Sequence, residues 1–321
     1  MKRILMCGSV LVAAGFVLPS HAAEWETGVS GFYFLGVGVT DSNAQDGVGV
    51  MRDGEVHVNG RLVVDNGLTF SARVELEAFT SGDQIDENWG RVSGAFGTIE
   101  IGGDASVGYE QVSGVGTVYA PGGRIGYADA NPLTAAATVS ESAFIGFATD
   151  AIGIHYFSPD FYGFQVFGSY IPSAATDGAA DTNNPAFDGG DEVWSVAAVF
   201  THDFEALSFG IGAHYTDQEG VSGEQIGVGA NIGYMGFTLA GFYEDDFAGD
   251  EFGIGAQYET GPWAIGGGYS DSNQLDNKIA SGWVTYQAAP GVSFTVGLEW
   301  AKDEPTNQED FGGLAYMSLF F

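Results

Sequence analysis

Leu207-Ser208-Phe209-Gly210-Ile211-Gly212-Ala213-His214-Tyr215-Thr216 is the stretch that decides the fold. Leu207, Phe209, Ile211, Ala213 and Tyr215 fall on one side of an extended chain, and Ser208, the two glycines, His214 and Thr216 fall on the other. Period-two alternation of this kind is a strand with one apolar and one polar face. The same scheme recurs at Ile226-Val228-Ala230-Ile232-Tyr234, at Phe252-Ile254-Ala256-Tyr258 and at Val292-Phe294-Val296-Leu298-Trp300. In a soluble sandwich the apolar faces would close on each other. Here the opposite faces are mostly Gly, Ser, Thr, Asn and Gln, and aromatic residues recur at strand ends: Tyr215, Tyr234, Tyr243, Tyr258, Trp263, Tyr269 and Trp300. An apolar outer band, aromatic girdles and a polar lumen describe a transmembrane β-barrel. Closure leaves no unpaired strand edge to be buried in hydrocarbon.

Working outward, about sixteen strands can be placed, at residues 24–40, 55–65, 68–80, 86–96, 98–103, 144–157, 163–172, 191–203, 207–217, 224–235, 237–245, 250–260, 263–271, 278–288, 292–302 and 309–321. Tight turns at Asn66-Gly67, Gly97-Thr98, Met235-Gly236, Gly261-Pro262 and Ala289-Pro290-Gly291 carry the expected turn residues. They alternate with longer loops at 40–54, 173–190 and 302–308. An even strand count puts both termini on the side of the short turns. The fold class is therefore all-β: a closed antiparallel transmembrane barrel.

One stretch breaks the pattern. After the hairpin that begins at Trp89, residues 104–143 run without periodicity and are rich in Gly, Ala, Ser and Thr. A loop of that length inside a compact domain is functional or disordered. It is expected to fold into the lumen and narrow the passage.

The N-terminus, Met1-Lys2-Arg3 followed by an apolar run to Leu18 and then Ser20-His21-Ala22, has the form of a secretory signal peptide, with cleavage expected after Ala22. Residues 23–321 then form a single domain. Cys7 is the only cysteine, so the mature chain has no disulfide, thiol chemistry or Cys-ligated metal. Past the leader no apolar run is long enough for a transmembrane helix.

The full chain carries 9 Lys+Arg against 42 Asp+Glu; without Lys2 and Arg3 it is 7 against 42, a net charge of −35. That sign excludes nucleic acid as a partner and favours cations near the surface. Two acidic groups have oxygen ligands suited to Ca²⁺: Asp245, Asp246, Asp250 and Glu251, and the run that includes Asp181, Asn183, Asp188, Asp191 and Glu192. Neither has EF-hand spacing, so a structural Ca²⁺ competes with simple solvation and no cofactor is assigned. The histidines lack metal-ligand spacing and no Gly-x-Ser-x-Gly run occurs, so no enzyme activity is expected.

Parity assigns the lumen residues. With Val56, Val58, Leu62 and Val64 outward, His57, Asn59 and Arg61 point inward; with Phe70, Ala72, Val74 and Leu76 outward, so do Arg73, Glu75 and Glu77. Arg91 and Ser93 follow on the next strand, and Glu100 on the one after. Arg61, Arg73 and Arg91 thus form a ladder on three consecutive strands. Either each arginine pairs with a neighbouring carboxylate, or the ladder faces acids of the inserted loop, for which Asp104, Glu110, Asp129 and Glu141 are the candidates. Arg124 lies in the same loop with the opposite sign. Opposed charges across a narrow aqueous passage order water and pass small polar solutes.

Three stretches resemble the general trimeric porins of Gram-negative outer membranes, in particular the sixteen-stranded alphaproteobacterial branch. Residues 92–102, Val-Ser-Gly-Ala-Phe-Gly-Thr-Ile-Glu-Ile-Gly, resemble the hairpin leading into that family's constriction loop. Residues 152–164 with Val166 and Tyr170 are similar to the Ser-Pro…Gly-Phe hairpin that follows it. Phe311, Ala315, Met317, Leu319 and terminal Phe321 resemble the last strand, read by the barrel-assembly machinery as an insertion signal. The resemblance implies a homotrimer among outer-membrane lipid and lipopolysaccharide, passing ions and small polar solutes. This chain departs from it at Gly103, where many relatives have arginine. The expected function is a passive, cation-preferring diffusion channel. A substrate-selective channel, a non-channel adhesin or structural barrel, and a secreted lectin-like sandwich are the alternatives.

Overall fold

The computed structural model describes residues 24–41, 46–79, 84–103, 107–118, 151–174, 191–246, 249–273 and 276–321. The leader at 1–22 lies outside them. Sixteen strands close into a barrel in which each pairs antiparallel with its sequence neighbours and β1 pairs with β16. They are β1 (Glu26–Asp41), β2 (Gly47–Val63), β3 (Thr69–Glu77), β4 (Ile85–Gly94), β5 (Gly97–Gly103), β6 (Ile152–Phe157), β7 (Phe164–Ile171), β8 (Val193–Phe204), β9 (Leu207–Gln218), β10 (Glu224–Tyr234), β11 (Phe237–Asp245), β12 (Asp250–Thr260), β13 (Trp263–Ser272), β14 (Asn277–Ala289), β15 (Val292–Asp303) and β16 (Gln308–Phe320). The ring closes beside the C-terminus: the Gly31 amide donates to the Phe321 carbonyl (3.0 Å), and the Phe321 amide to that of Gly31 (3.1 Å). β1 therefore starts, and β16 ends, on the short-turn rim. At Met235-Gly236 both residues have positive φ (49° and 88°), the twist that a two-residue hairpin between right-handed strands requires.

Two expectations are corrected. Of the stretch expected as a loop at 40–54, residues 40–41 and 47–54 are strand. The β1–β2 ladder runs on through Val37↔Val50 and Val39↔Val48 to Thr40↔Gly47, because Gly-Val alternation in both arms continues the pleat. Residues 104–143 are also not wholly irregular: α1 (Val107–Gly116) lies within them.

Outward-facing Val37, Val39, Ile211, Val228, Ile254, Val296 and Leu298 remain exposed, an apolar band with no partner in a single chain. Rings pair across strands at both edges of it. On the short-turn side Phe237 lies 4.2 Å from Tyr258 and Trp263 4.7 Å from Tyr286; on the loop side Tyr170 lies 4.3 Å from Trp194. No helix among the described residues is long and apolar enough to cross a membrane, which says nothing of a β-barrel.

The hydrogen-bonded row Glu26↔Arg61↔Ser71↔Arg91↔Glu100↔His155↔Ser169↔Ser195↔Thr216↔Gln225 starts at the short-turn rim and ends beside the β9–β10 loop. A row that climbs across ten strands is the shear that closure of tilted strands imposes. It sets the height at which each inward side chain meets the lumen.

Candidate channel lining

Arg61, Arg73 and Arg91 stand within four residues of the short-turn ends of β2, β3 and β4, and each meets a carboxylate of the wall. Arg61 Nη1 lies 3.4 Å from Glu26 Oε2, with both side chains more than half exposed. Arg73 Nε lies 2.6 Å from Glu75 Oε1, and its Nη2 donates to Nδ1 of His57. Arg91 Nε donates to Glu100, which is fully buried. The Arg91 guanidinium also lies over the Trp89 ring, 3.6 Å from its centroid, and 5.6 Å from that of Phe157.

Above the arginines, toward the loop side, the same wall is acidic. Glu55, on β2, faces Glu77, on β3, in register. Asp86 joins them although simple alternation on β4 would turn it outward. The pairing slips between Val74 and Leu76, and this bulge re-aims the side chain into the lumen, so that Glu55, Glu77 and Asp86 lie within 4.8 Å of one another. The wall is thus polarised along the channel axis, bases toward the short-turn rim and acids toward the loops.

α1 rests on the far wall. It packs against β7 to β11; β9 stands six strands from β3 in a ring of sixteen. The helix can lie against the sheet because glycines face it: a Cβ on Gly229 would stand 2.8 Å from the Val112 carbonyl oxygen and 2.9 Å from Gly116 Cα. Val112 and Val115 pack over Gly212, and Asn231 Nδ2 donates to the Val115 carbonyl (2.9 Å). Glu110 belongs to α1, so one candidate loop acid is carried by an element on the wall facing the ladder; its side chain, with Asp104, Arg124, Asp129 and Glu141, lies outside the described residues. Val112 and Val115, three residues apart, put two apolar side chains on the face of α1 that meets the sheet.

The lumen face also carries residues that alternation alone did not single out. A buried polar network includes His155 Nδ1 with Ser169 Oγ (2.9 Å), Thr216 Oγ1 with Ser195 Oγ (2.9 Å), and Glu244 held by both His214 Nε2 and Gln225 Nε2 (2.9 Å each). Phe34, Met51, Trp283, Leu314 and Tyr316 also point inward and are buried, so the inner face is less uniformly polar than its Gly/Ser/Thr content implies.

Of the candidate Ca²⁺ ligands, Asp181, Asn183 and Asp188 lie outside the described residues, and the acids at the β11–β12 end are split between the two faces of the sheet. Glu244 and Glu251 face each other on the lumen side, whereas Asp245 and Asp250 form the next register pair, which alternation places on the outer side. Asp246 accepts from the Gly249 amide and Asp250 from Asn273. At the loop rim, Lys278 Nζ lies 2.8 Å from Glu304 Oε1 and holds that carboxyl below its ordinary range.

A family model described as Gram-negative porin matches residues 9–306. The chain belongs to the Gram-negative porin family. Its fold is that of solved variants of the porin from Rhodopseudomonas blastica. One double mutant superposes with a TM-score of 0.64 at 16% identity, and a triple mutant with 0.62 at 16%; each comparison covers 92% of this chain and all of the other. No curated protein sequence matches it. Family and fold together make this porin a non-enzymatic channel protein of the bacterial outer membrane.

Proposed function

We propose that this porin is a passive, cation-preferring diffusion channel for ions and small hydrophilic solutes. The observation that carries the reading is the charge of the lumen wall. Each of the three wall arginines is engaged by a carboxylate, while Glu55, Glu77 and Asp86 add an acidic group on β2, β3 and β4 and Glu244, Glu251, Glu299 and Asp310 are buried on the inner face of β11, β12, β15 and β16. Cations are therefore concentrated in the passage at low salt, and the preference weakens as the Debye length falls from about 10 Å at 0.1 M to about 3 Å at 1 M. The eyelet lies between the Arg61–Arg73–Arg91 wall and the inserted loop that carries α1, with Asp104, Glu110, Asp129 and Glu141 as the loop's candidate acids for a transverse field. A reversal potential of cation sign across a KCl gradient is expected; zero or anion sign would refute the selectivity.

The porin works as a homotrimer embedded in lipid and lipopolysaccharide. Arg52 supports a protein-covered face: it lies on the outer side of β2, paired with outward Leu35 and 4.8 Å over the Phe79 ring. An arginine facing lipid costs on the order of 2–4 kcal/mol at the bilayer midplane, a cost that a second subunit over this surface removes. Phe321 serves as the insertion signal for the assembly machinery. Migration of the unheated protein as a monomer on a mild detergent gel would argue against the trimer.

A further inference from the structure

Glu55, His57 and Glu75 form a compact group with mixed nitrogen and oxygen donors on the lumen wall. His57 Nε2 lies 2.8 Å from Glu55 Oε2 and 3.1 Å from Glu75 Oε2, and one donor atom from each residue falls within 4.8 Å of the other two. Each side chain keeps about a tenth of its surface open: 11% for His57, 14% for Glu55 and 9% for Glu75. β2 supplies two of the residues at alternate positions, and His57↔Glu75 is a register pair, so the strands, not a loop, fix the arrangement. The Phe32 ring stands edge-on to the imidazole with centroids 6.1 Å apart and backs it on one side. Arg73 holds Glu75 by Oε1, leaving Oε2 aimed at His57.

We propose that these three residues bind a borderline transition-metal dication of the Zn²⁺ class. Ligands about 2.1 Å from a tetrahedral ion stand roughly 3.4 Å apart, so the observed 2.8 and 3.1 Å need to open by only a few tenths of an ångström. In the metal-free wall Nδ1 accepts from Arg73, which places the ring proton on Nε2 between the two carboxylates. The dication takes the place of that proton, the imidazole then carries its proton on Nδ1, and Arg73 keeps Glu75 through Nε while its Nη2 turns away. Water completes the coordination from the lumen side. One imidazole and two carboxylates select Zn²⁺, Ni²⁺ or Cu²⁺ and fall short of the six to eight oxygens that Ca²⁺ takes. The adjoining Glu55–Glu77–Asp86 group offers oxygen only, and it shares Glu55. An ion drawn merely by negative charge would settle there.

The test is Zn²⁺ titration of the folded porin in detergent, by calorimetry or with a competing chelating dye. One Zn²⁺ per chain is expected, with affinity reduced at least tenfold in His57→Gln and in Glu75→Gln and unchanged in His214→Gln. Heat-modifiable gel migration verifies that each variant is folded. A competition on the wild type needs no variant: excess Ca²⁺ should leave Zn²⁺ bound. Unaltered binding in His57→Gln, or displacement by equimolar Ca²⁺, would overturn the proposal.

Discussion

Arg91→Met removes a charge while leaving an unbranched side chain over Trp89, and its cost can be worked from the wall. Glu100 is fully buried, and Arg91, on the adjacent strand at the same register position, donates to it. Taking one partner from a buried pair costs about 3–5 kcal/mol, because the other charge stays buried without compensation. The lost stacking on Trp89, 3.6 Å from the guanidinium, adds about 0.5–2 kcal/mol, part of which methionine recovers. The folding equilibrium constant should therefore fall at least a hundredfold, since about 1.4 kcal/mol is a factor of ten. Glu100→Gln in the same chain should restore most of it, because a neutral amide needs no counter-charge. Urea titration of the barrel refolded into phospholipid vesicles, followed by tryptophan fluorescence, reads all three variants as a double-mutant cycle. A single-variant loss under about 1 kcal/mol, or a double variant as unstable as the sum of the singles, would refute the pairing.

Other consequences follow from the same wall. Arg61→Ala breaks only a half-exposed 3.4 Å pair with Glu26, so stability should change by less than about 1 kcal/mol while the reversal potential moves further toward cations; loss of folding would contradict this. Gly229→Leu drives a side chain into the backbone of α1. It should cost about 1–3 kcal/mol and push the helix toward the axis, lowering single-channel conductance; unchanged conductance would mean that α1 does not rest there. His214→Ala leaves Glu244, 1% exposed, with one hydrogen bond fewer, a loss of about 1–3 kcal/mol that Glu244→Gln in the same chain should reduce in the urea titration.

How much of this was legible follows from what a period of two can encode. Alternation tells which face a residue takes, so the inward ladder of Arg61, Arg73 and Arg91 could be read directly. It does not tell height. The meeting of Arg61 with Glu26, 35 positions away, depends on the shear with which β1 and β2 pair, a property of the closed ring. Asp86 was missed because a one-residue bulge reverses its face, and β2 was cut short because Gly-Val arms read equally as loop. Glycine also concealed α1: Gly108, Gly114 and Gly116 weaken helix propensity, while Gly212 and Gly229, on strands a hundred residues later, make its seat. The inward-facing Phe34 and Tyr316, which touch edge to face at 6.2 Å, sit beside outward Leu35 and Met317; apolar residues on both faces erase the alternation that would separate them.

The central claim is a water-filled passage lined by these strands. Single-channel recording of the purified porin in planar bilayers tests it most directly. Long-lived, ohmic conductance steps that scale with bulk KCl conductivity, with cation-signed reversal under a gradient, are the expected result. Purified, correctly folded protein that inserts yet passes no current would contradict it.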